Sequence, residues 1–153
     1  REIQAGRTNP DPSIERRRHV SIQYVRLRDR ALGQVVSFKA MELAIEKARE
    51  SSIACTGVLN SGHYGAAGFY AMMALEHDMI GFSTTTGLKS NVVAFGGITP
   101  IVGNLPLACA IPAGEERPLV LDMATGVVAM GKVDVARTRR QEIPLGWAMT
   151  REG

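Results

Sequence analysis

The chain begins without a regular pattern of apolar positions. Residues 1–19 show neither the period of a helix nor that of a strand. Val20, Ile22 and Tyr24 then alternate with polar neighbours, which is the period of a half-buried strand. We therefore predict that residues 1–30 form an extended lead-in with an edge strand.

The next stretch, residues 34–49, has the apolar spacing of a helix. Charged residues occupy the positions between the apolar ones, which is typical of an amphipathic helix with one buried face. The apolar positions of this face are Phe38, Met41, Ile45 and Ala48.

The remainder of the chain alternates short apolar runs with turn-forming residues. The apolar runs predict a short buried strand over residues 53–59 and further strands over residues 79–85, 105–111 and 119–122. Helical spacing predicts helices over about 65–77 and 125–138, and residues 87–100 read as a loop rich in Gly, Ser, Asn and Pro. Interleaved strands and helices without an internal repeat favour a sheet covered by helices.

Composition places the chain among folded globular proteins. It has 153 residues, 45% apolar and 22% charged, and a net charge of +3. The basic run at residues 16–19 raises the question of nucleic acid. No aromatic residues are interleaved with it, so we interpret it as a solvated or partner-facing patch and expect no nucleic-acid partner.

Cysteine usage and hydropathy bear on the compartment. Cys55 and Cys109 stand alone in apolar runs without CxxC spacing, which predicts buried free thiols in a reducing, cytoplasmic compartment. Residues 90–114 carry no charge but contain three prolines and several glycines. One continuous membrane helix is therefore excluded for this stretch, and we expect no membrane partner.

The segment with the clearest chemical content is residues 60–68, Asn-Ser-Gly-His-Tyr-Gly-Ala-Ala-Gly. It places His63 at a predicted strand-to-helix junction beside small residues. One interpretation is an anion cradle of free backbone N–H groups beside an imidazole suited to proton exchange. The other is a capping loop with a structural histidine, and the residues alone leave both open.

Two nucleotide-binding patterns are defined by the spacing of their glycines. Gly62, Gly65 and Gly68 do not have the GxGxxG spacing of a Rossmann fold. Residues 126–132 match the GxxxxGK outline of a P-loop, but Val133 stands where Ser or Thr would hold magnesium, and the intervening residues read as helix interior. A phosphate-binding P-loop is kept as a minor alternative.

Other polar candidates have simple structural explanations. The three histidines lack metal-ligand spacing, so no metal site is predicted. His77 precedes Asp78 at a predicted helix end, where the helix dipole favours a histidine cation. Asp122 closes an apolar strand, a position that suits a functional group or a helix cap.

Six stretches, in this order and spacing, resemble the malate/L-lactate dehydrogenase family, which includes ureidoglycolate, sulfolactate and diketogulonate oxidoreductases. The stretches are residues 32–36 (LGQVV), 40–48 (AMELAIEKA), 60–70 (NSGHYGAAGFY), 120–125 (VLDMAT), 129–132 (AMGK) and 143–148 (IPLGWA).

The resemblance implies an α/β fold with a mixed, largely antiparallel sheet flanked by helices, unrelated to the Rossmann fold. It implies hydride transfer between NAD or NADP and a small 2-hydroxy or 2-oxo acid such as malate, lactate or ureidoglycolate, carried out by a homodimer. It also implies that residues 31–153 are the central cofactor-binding segment of a longer enzyme.

The resemblance further assigns site residues. His63 matches the family histidine that lies against cofactor and substrate and is the expected acid/base. The positions that match cofactor contacts are Tyr64, Gly65, Ala66, Asp122, Met123, Ala124, Met130, Gly131 and Lys132.

The sequence departs from the family pattern at residues 103–106, Gly-Asn-Leu-Pro, where relatives read Gly-Thr-Asn-Pro. Asn104 is therefore the expected substrate-binding residue, with an amide in place of a hydroxyl. The departure also supports an alternative, a catalytically incomplete but folded and dimerising module of the same family.

Overall fold

The computed structural model describes residues 14–18, 22–86, 90–150 and 152 of the chain. Of the lead-in predicted over residues 1–30, residues 1–13 and 19–21 lie outside them, His19 and Val20 included, as do residues 87–89 of the predicted loop. The strands among the described residues are β1 (Ile14–Arg18), β2 (Ile22–Ala31), β3 (Cys55–Ser61), β4 (Gly81–Thr84), β5 (Val92–Val93), β6 (Pro100–Val102), β7 (Pro106–Ile111) and β8 (Leu119–Ala124). The helices are α1 (Gly33–Ser51), α2 (Ala67–Met73), which continues as a 3₁₀ turn over Ala74–His77, and α3 (Met130–Arg139).

The first sheet has the order β1-β2-β3. β1 runs antiparallel to β2, whereas β2 and β3 are parallel and are joined by α1. The strand expected from Ile22 and Tyr24 is thus β2, which is central in its sheet and not an edge strand. β1 lies at one edge of the sheet and β3 at the other, and the consecutive arginines of β1 show no alternation that predicts a strand.

The second sheet, β4-β7-β8, is antiparallel throughout, and β5 pairs with β6 in a small separate ribbon. The ribbon falls within and just after the stretch expected to be a loop. With α1 against β3 and α2 against β4 and β7, the chain has a mixed, largely antiparallel sheet arrangement flanked by helices, as predicted.

Helix α1 is confirmed where the apolar period predicted it, but its most buried face is turned slightly from the expected one. Val36, Ala40 and Ile45 are buried, and Val36 and Ala40 pack with Val58 of β3. Phe38, expected in the core, is 37% exposed. The apolar stripe is wider than the buried face, so the period alone did not identify the residue left at its border.

Helix α2 supplies the largest core cluster. Small residues allow it to lie close to the second sheet, where Ala108 and Ala110 of β7 are fully buried against it. Gly81 at the start of β4 has no room for a side chain, because a Cβ there would collide with the Ala71 carbonyl oxygen. The residues of this cluster are Tyr64, Ala67, Tyr70, Ala71, Ala108 and Ala110.

Two expectations about burial were wrong. The strand predicted over 53–59 forms as β3, but its residues are half-buried or exposed. Cys55 is exposed and Cys109 is only partly buried, although both thiols are free as expected. β3 has α1 on one face, and no described element covers the other, so an apolar run here does not mean burial on both sides.

Two helix starts were also placed too early. Asn60 and Ser61, expected as capping residues, belong to β3, and α2 begins at Ala67 without a side-chain cap from Ala66. The last helix begins at Met130 and not at 125, because residues 125–128 are bent and hydrogen-bonded to the loop before β7.

Candidate active site

His63 follows the carboxyl end of β3, in the loop 62–66 that leads to α2. Because β2 and β3 are parallel, both strands end at the same edge of their sheet, and α1 begins there as well. The first residue of α1, Gly33, lies against this loop so closely that a Cβ would be 2.5 Å from the His63 carbonyl oxygen. The loop is therefore braced from one side by the start of α1.

The His63 imidazole is exposed and has a defined hydrogen bond. Its Nδ1 accepts a hydrogen bond from the backbone N–H of Gly65 at 3.1 Å. An amide N–H only donates, so Nδ1 is unprotonated and the neutral ring carries its proton on Nε2. Gly65 has a φ of +86°, in the left-handed region that favours glycine. The backbone thereby orients one ring nitrogen and leaves the other to contact a ligand.

Tyr64 is buried and does not offer its side chain to the loop's surface. Its ring stacks on that of Tyr70, with centroids 5.2 Å apart and planes 7° from parallel. Burial raises the pKa of Tyr64; the nearby Ser83 side chain opposes this and the charge of Asp122 adds to it. Tyr64 is thus only 9% exposed, with its hydroxyl buried, at the position that matches a cofactor contact.

Tyr70 makes the contact that ties the loop to α2. It is 3% exposed, and its hydroxyl donates a hydrogen bond to the Tyr64 carbonyl oxygen. Burial, and to a smaller extent the neighbouring Tyr64, raise the pKa of Tyr70.

The Asp122 side chain, on β8, contacts the first turn of α2. Its carboxylate accepts a hydrogen bond of 2.9 Å from the backbone N–H of Gly68, and a Cβ at Gly68 would be 2.7 Å from the same oxygen. Of the two interpretations of Asp122, the geometry supports the helix cap. One backbone donor of the proposed anion cradle is consequently already satisfied within the chain.

An open groove of about 640 Å³ lies between the start of α1 and the loop before α2. Its lining is mainly apolar. Phe38 and Phe69 line it with their rings 6.4 Å apart, and both rings are partly exposed. The lining residues are Gln34, Val35, Phe38, Lys39, Tyr64, Gly65, Ala66, Phe69 and Tyr70.

Asn104 uses both ends of its side-chain amide inside the chain. Its Oδ1 accepts a hydrogen bond from the Gly126 N–H at 2.8 Å, and its Nδ2 donates to the Val128 carbonyl oxygen at 3.1 Å. Thr125 and Leu105 exchange two further bonds beside it. Asn104 therefore fixes the segment that precedes α3.

This arrangement bears on the GxxxxGK outline. The N–H of Gly126 is bonded to Asn104 and does not point into an empty cradle. Residues 125–128 form a bent segment, and Lys132 lies exposed in the first turn of α3 beside Met130 and Gly131. The backbone does not wrap as a P-loop does.

The described part of the chain also bears on two other classes of site, metal centres and membrane spans. Among these residues no group of three or more His, Cys, Asp or Glu side chains is arranged to hold a metal ion. None of the helices in the same ranges combines the length and apolar character that crossing a membrane requires.

The tertiary structure adds functional candidates that sequence reasoning missed, namely Gly33, Phe38, Phe69 and Tyr70. Tyr70 lies within a stretch that resembles the family but has no polar neighbour to single it out. Gly33 stands at a helix start, where a glycine has many possible reasons. Only the approach of α1 to the His63 loop shows what these residues do.

Comparison with known proteins gives consistent matches. A family model described as malate/L-lactate dehydrogenase matches residues 1–153. A malate dehydrogenase of Pyrococcus abyssi is 50% identical over 125 residues, which cover 82% of this chain and 34% of that protein. An NAD(+) ureidoglycolate dehydrogenase of Escherichia coli K12 is 36% identical over 151 residues, which cover 99% of this chain and 43% of that protein.

Solved structures agree. A dehydrogenase from Sinorhizobium meliloti superimposes with a TM-score of 0.90 at 34% identity, over 99% of this chain and 44% of that one. A sulfolactate dehydrogenase from Methanocaldococcus jannaschii gives a TM-score of 0.82 at 37% identity, over 99% of this chain and 43% of that one. The chain thus spans less than half the length of these relatives.

Proposed function

The chain belongs to the malate/L-lactate dehydrogenase family, and we propose that it carries part of the active site of an NAD(P)-dependent 2-hydroxy-acid dehydrogenase. The substrate class is a small 2-hydroxy acid, or the matching 2-oxo acid, of the kind named for the relatives. The observation that carries this proposal is the state of His63, an exposed imidazole with one nitrogen held by the backbone and the other available.

The role of His63 follows from the proton that the substrate's C2 oxygen must gain or lose during the reaction. A nicotinamide held in this site would supply the chemistry of hydride transfer at the substrate's C2. As a carbonyl carbon gains hydride, its oxygen must gain a proton, and the reverse reaction removes that proton from the hydroxyl. In the Nε2–H form His63 cannot accept that proton at Nε2, and it acts as a hydrogen-bond donor to the C2 oxygen while Gly65 keeps the ring oriented. To transfer the proton itself, the ring must first take a second proton from solvent at Nδ1, which displaces the Gly65 N–H, and then give up the proton on Nε2.

The groove between α1 and the His63 loop suits a planar aromatic cofactor. Phe38 and Phe69 offer exposed apolar ring surface, and Tyr64, Gly65 and Ala66 form the adjoining wall. These residues would hold one ring of NAD or NADP and exclude water from it.

The remaining matched positions fall into two groups. Asp122, with Met123 and Ala124 in β8, acts on the cofactor side by holding the start of α2 next to the loop. The second group begins α3 and is fully or partly exposed, so it can reach a cofactor only from that end. Its members are Met130, Gly131 and Lys132.

Asn104, which the sequence predicts to bind substrate, also has a structural role. Both ends of its amide are bonded to residues 126 and 128, so it shapes the substrate end by fixing the approach to α3, and one N–H and one oxygen lone pair of the amide are left for substrate. Substrate selection then depends on this segment as a unit.

A second candidate is the folded module without turnover, a homodimer in its own right. Register and alternation place Phe82, Leu121 and Met123 on the sheet face opposite α2, where they are 40–57% exposed. Such an apolar face favours association, and the commitment of Asn104 to internal bonds is compatible with lost activity.

The deciding experiment is a titration of the 153-residue chain with NADH and NADPH, followed by nucleotide fluorescence, with His63→Ala as the variant. His77→Ala is the matched control, because His77 is also an exposed histidine whose Nδ1 is hydrogen-bonded, in this case to Arg49. A panel of 2-oxo acids, oxaloacetate and pyruvate among them, is then added to look for turnover.

Saturable binding that His63→Ala weakens and His77→Ala does not would support the proposed site, with or without turnover. A folded chain that binds neither nucleotide at millimolar concentration would contradict it. Light scattering on the same sample would show whether the chain is a dimer, which the module without turnover requires.

A further inference from the structure

One peptide group of the loop, between Tyr64 and Gly65, links the His63 imidazole to Tyr70 of α2. The Tyr64 carbonyl oxygen and the Gly65 N–H belong to the same rigid, planar unit. The hydroxyl of Tyr70 donates to the carbonyl end of this unit, and the N–H end donates to His63 Nδ1 at 3.1 Å. Tyr70 is thereby connected to the imidazole through a single peptide plane.

We propose that Tyr70 is a positioning residue that sets the tautomer and orientation of His63 through the Tyr64–Gly65 peptide. Holding the carbonyl oxygen prevents the peptide plane from rotating, so the N–H stays directed at Nδ1. That bond keeps the neutral proton on Nε2, the nitrogen left to face a ligand. Donation to the carbonyl also polarises the peptide and strengthens the donor at its other end.

The surroundings of Tyr70 make it a firm anchor. Its ring lies in the core cluster with Ala71 and Ala108, stacks on Tyr64 and meets the edge of Phe69 at 90°. Fixing a hydroxyl that is already immobile costs little further conformational entropy, unlike a contact made by an exposed side chain. The anchor therefore belongs to the rigid part of the fold and the imidazole to its surface.

The stacked pair provides its own control. Tyr64 and Tyr70 are both buried, but the Tyr64 hydroxyl lies near the Ser83 side chain of β4 and makes no hydrogen bond to the described residues of the His63 loop. Tyr64→Phe and Tyr70→Phe each delete one buried hydroxyl from the same aromatic stack. Only Tyr70→Phe removes the bond to the loop.

The test is nitrogen NMR of the histidines in the ¹⁵N-labelled chain, where the Nδ1 and Nε2 shifts report the tautomer and His63→Ala assigns the signals. In the unmodified chain we expect the Nε2–H form and a scalar coupling between the Gly65 nitrogen and His63 Nδ1 across the hydrogen bond. Tyr70→Phe should reduce the preference for that tautomer by about fivefold, the factor that corresponds to one ordinary hydrogen bond. Tyr64→Phe should leave it unchanged.

An Nδ1–H tautomer or a missing coupling in the unmodified chain would overturn the proposal, and this measurement needs no variant to fold. An equal response to the two Phe variants would also overturn it. These two hydrogen bonds, from Tyr70 to the Tyr64 carbonyl oxygen and from Gly65 to His63, form a relay. Its role in catalysis rests on the proposed function, but the NMR measurement of it uses no cofactor. A relay found in a chain that binds no nucleotide would therefore contradict the function alone, and nucleotide binding without the relay would contradict only the inference.

Discussion

The carboxylate of Asp122, in β8, accepts a hydrogen bond from the backbone N–H of Gly68, in the first turn of α2, at 2.9 Å. The two residues are 54 positions apart in sequence. The bond joins the second sheet to the helix that follows the His63 loop. It satisfies a donor that no side chain near α2 in the sequence caps.

Removing the Asp122 carboxylate should destabilise the fold at this junction. We expect Asp122→Ala to lower the free energy of unfolding by about 1 kcal/mol, the usual net worth of one hydrogen bond. Asp122→Asn should recover most of the loss, because its amide oxygen still accepts. Urea unfolding measures both, with Glu115→Ala in an exposed turn as the control. An equal loss in the Asn and Ala variants would contradict the capping role.

A methyl group at Gly68 should have the opposite effect to one at Gly131. The added Cβ at Gly68 would be 2.7 Å from the Asp122 carboxylate, whereas a Cβ at Gly131 meets nothing within 4 Å. Gly68→Ala should cost about 1 to 3 kcal/mol through overpacking. Gly131→Ala should stabilise the chain by about 0.5 to 1 kcal/mol, because alanine favours helix more than glycine does.

The double variant separates the collision from a general helix effect. If the cost of Gly68→Ala comes from Asp122, that cost should shrink in an Asp122→Ala background. Additive losses in the thermodynamic cycle would show that the two residues act independently.

Loss of the Asn104 amide should loosen the segment before α3. Asn104→Ala leaves the Gly126 N–H and the Val128 carbonyl oxygen without their partner, which should cost about 2 kcal/mol. Hydrogen exchange would show it locally as faster exchange of the Gly126 amide. The Thr125 amide, bonded to the Leu105 carbonyl oxygen, is the internal control. Unchanged protection at Gly126 would refute the assigned role.

The stability of the chain should fall in alkali partly because of the two stacked tyrosines. Burial raises the pKa of both Tyr64 and Tyr70 above the ordinary value of 10.0. The folded state then keeps protons that the unfolded state releases, so their contribution is complete below pH 10 and is lost as pH rises through the folded-state values.

Urea unfolding between pH 8 and pH 11 tests this. Tyr64→Phe should have a shallower decline above pH 10 than the unmodified chain, since one of the two shifted groups is gone. Identical slopes would mean that Tyr64 titrates alike in the folded and unfolded states. The comparison of slopes cancels the titration of lysines, which both proteins share.

The position of α1, the strands around it and the family could be read from the sequence. Apolar periodicity depends on neighbours a few residues apart, so α1 and the strands β3, β4, β7 and β8 were found with small errors at their ends. The family followed from six stretches whose order and spacing act together. His63 was singled out for the same local reason, a histidine among small residues at a strand-to-helix junction.

Other features depended on contacts between residues far apart in sequence. The exposure of Cys55 and Phe38 depends on what covers β3 and α1, and neither the cysteine nor the phenylalanine reveals that locally. The late start of α3 depends on Asn104, more than twenty residues earlier. β1 escaped notice because consecutive arginines have no period, although a strand needs only a partner with free hydrogen-bonding groups.

The sequence by itself determined which chemistry is present: an imidazole among glycines and other small residues at a strand-to-helix junction, within a chain of a recognisable family. Only the tertiary structure decided what that imidazole can do. The parallel pairing of β2 and β3 brings the start of α1 against the loop, and Tyr70 reaches the peptide that holds His63 Nδ1. A side chain's identity is local, but its orientation and protonation depend on the groups that the fold packs around it.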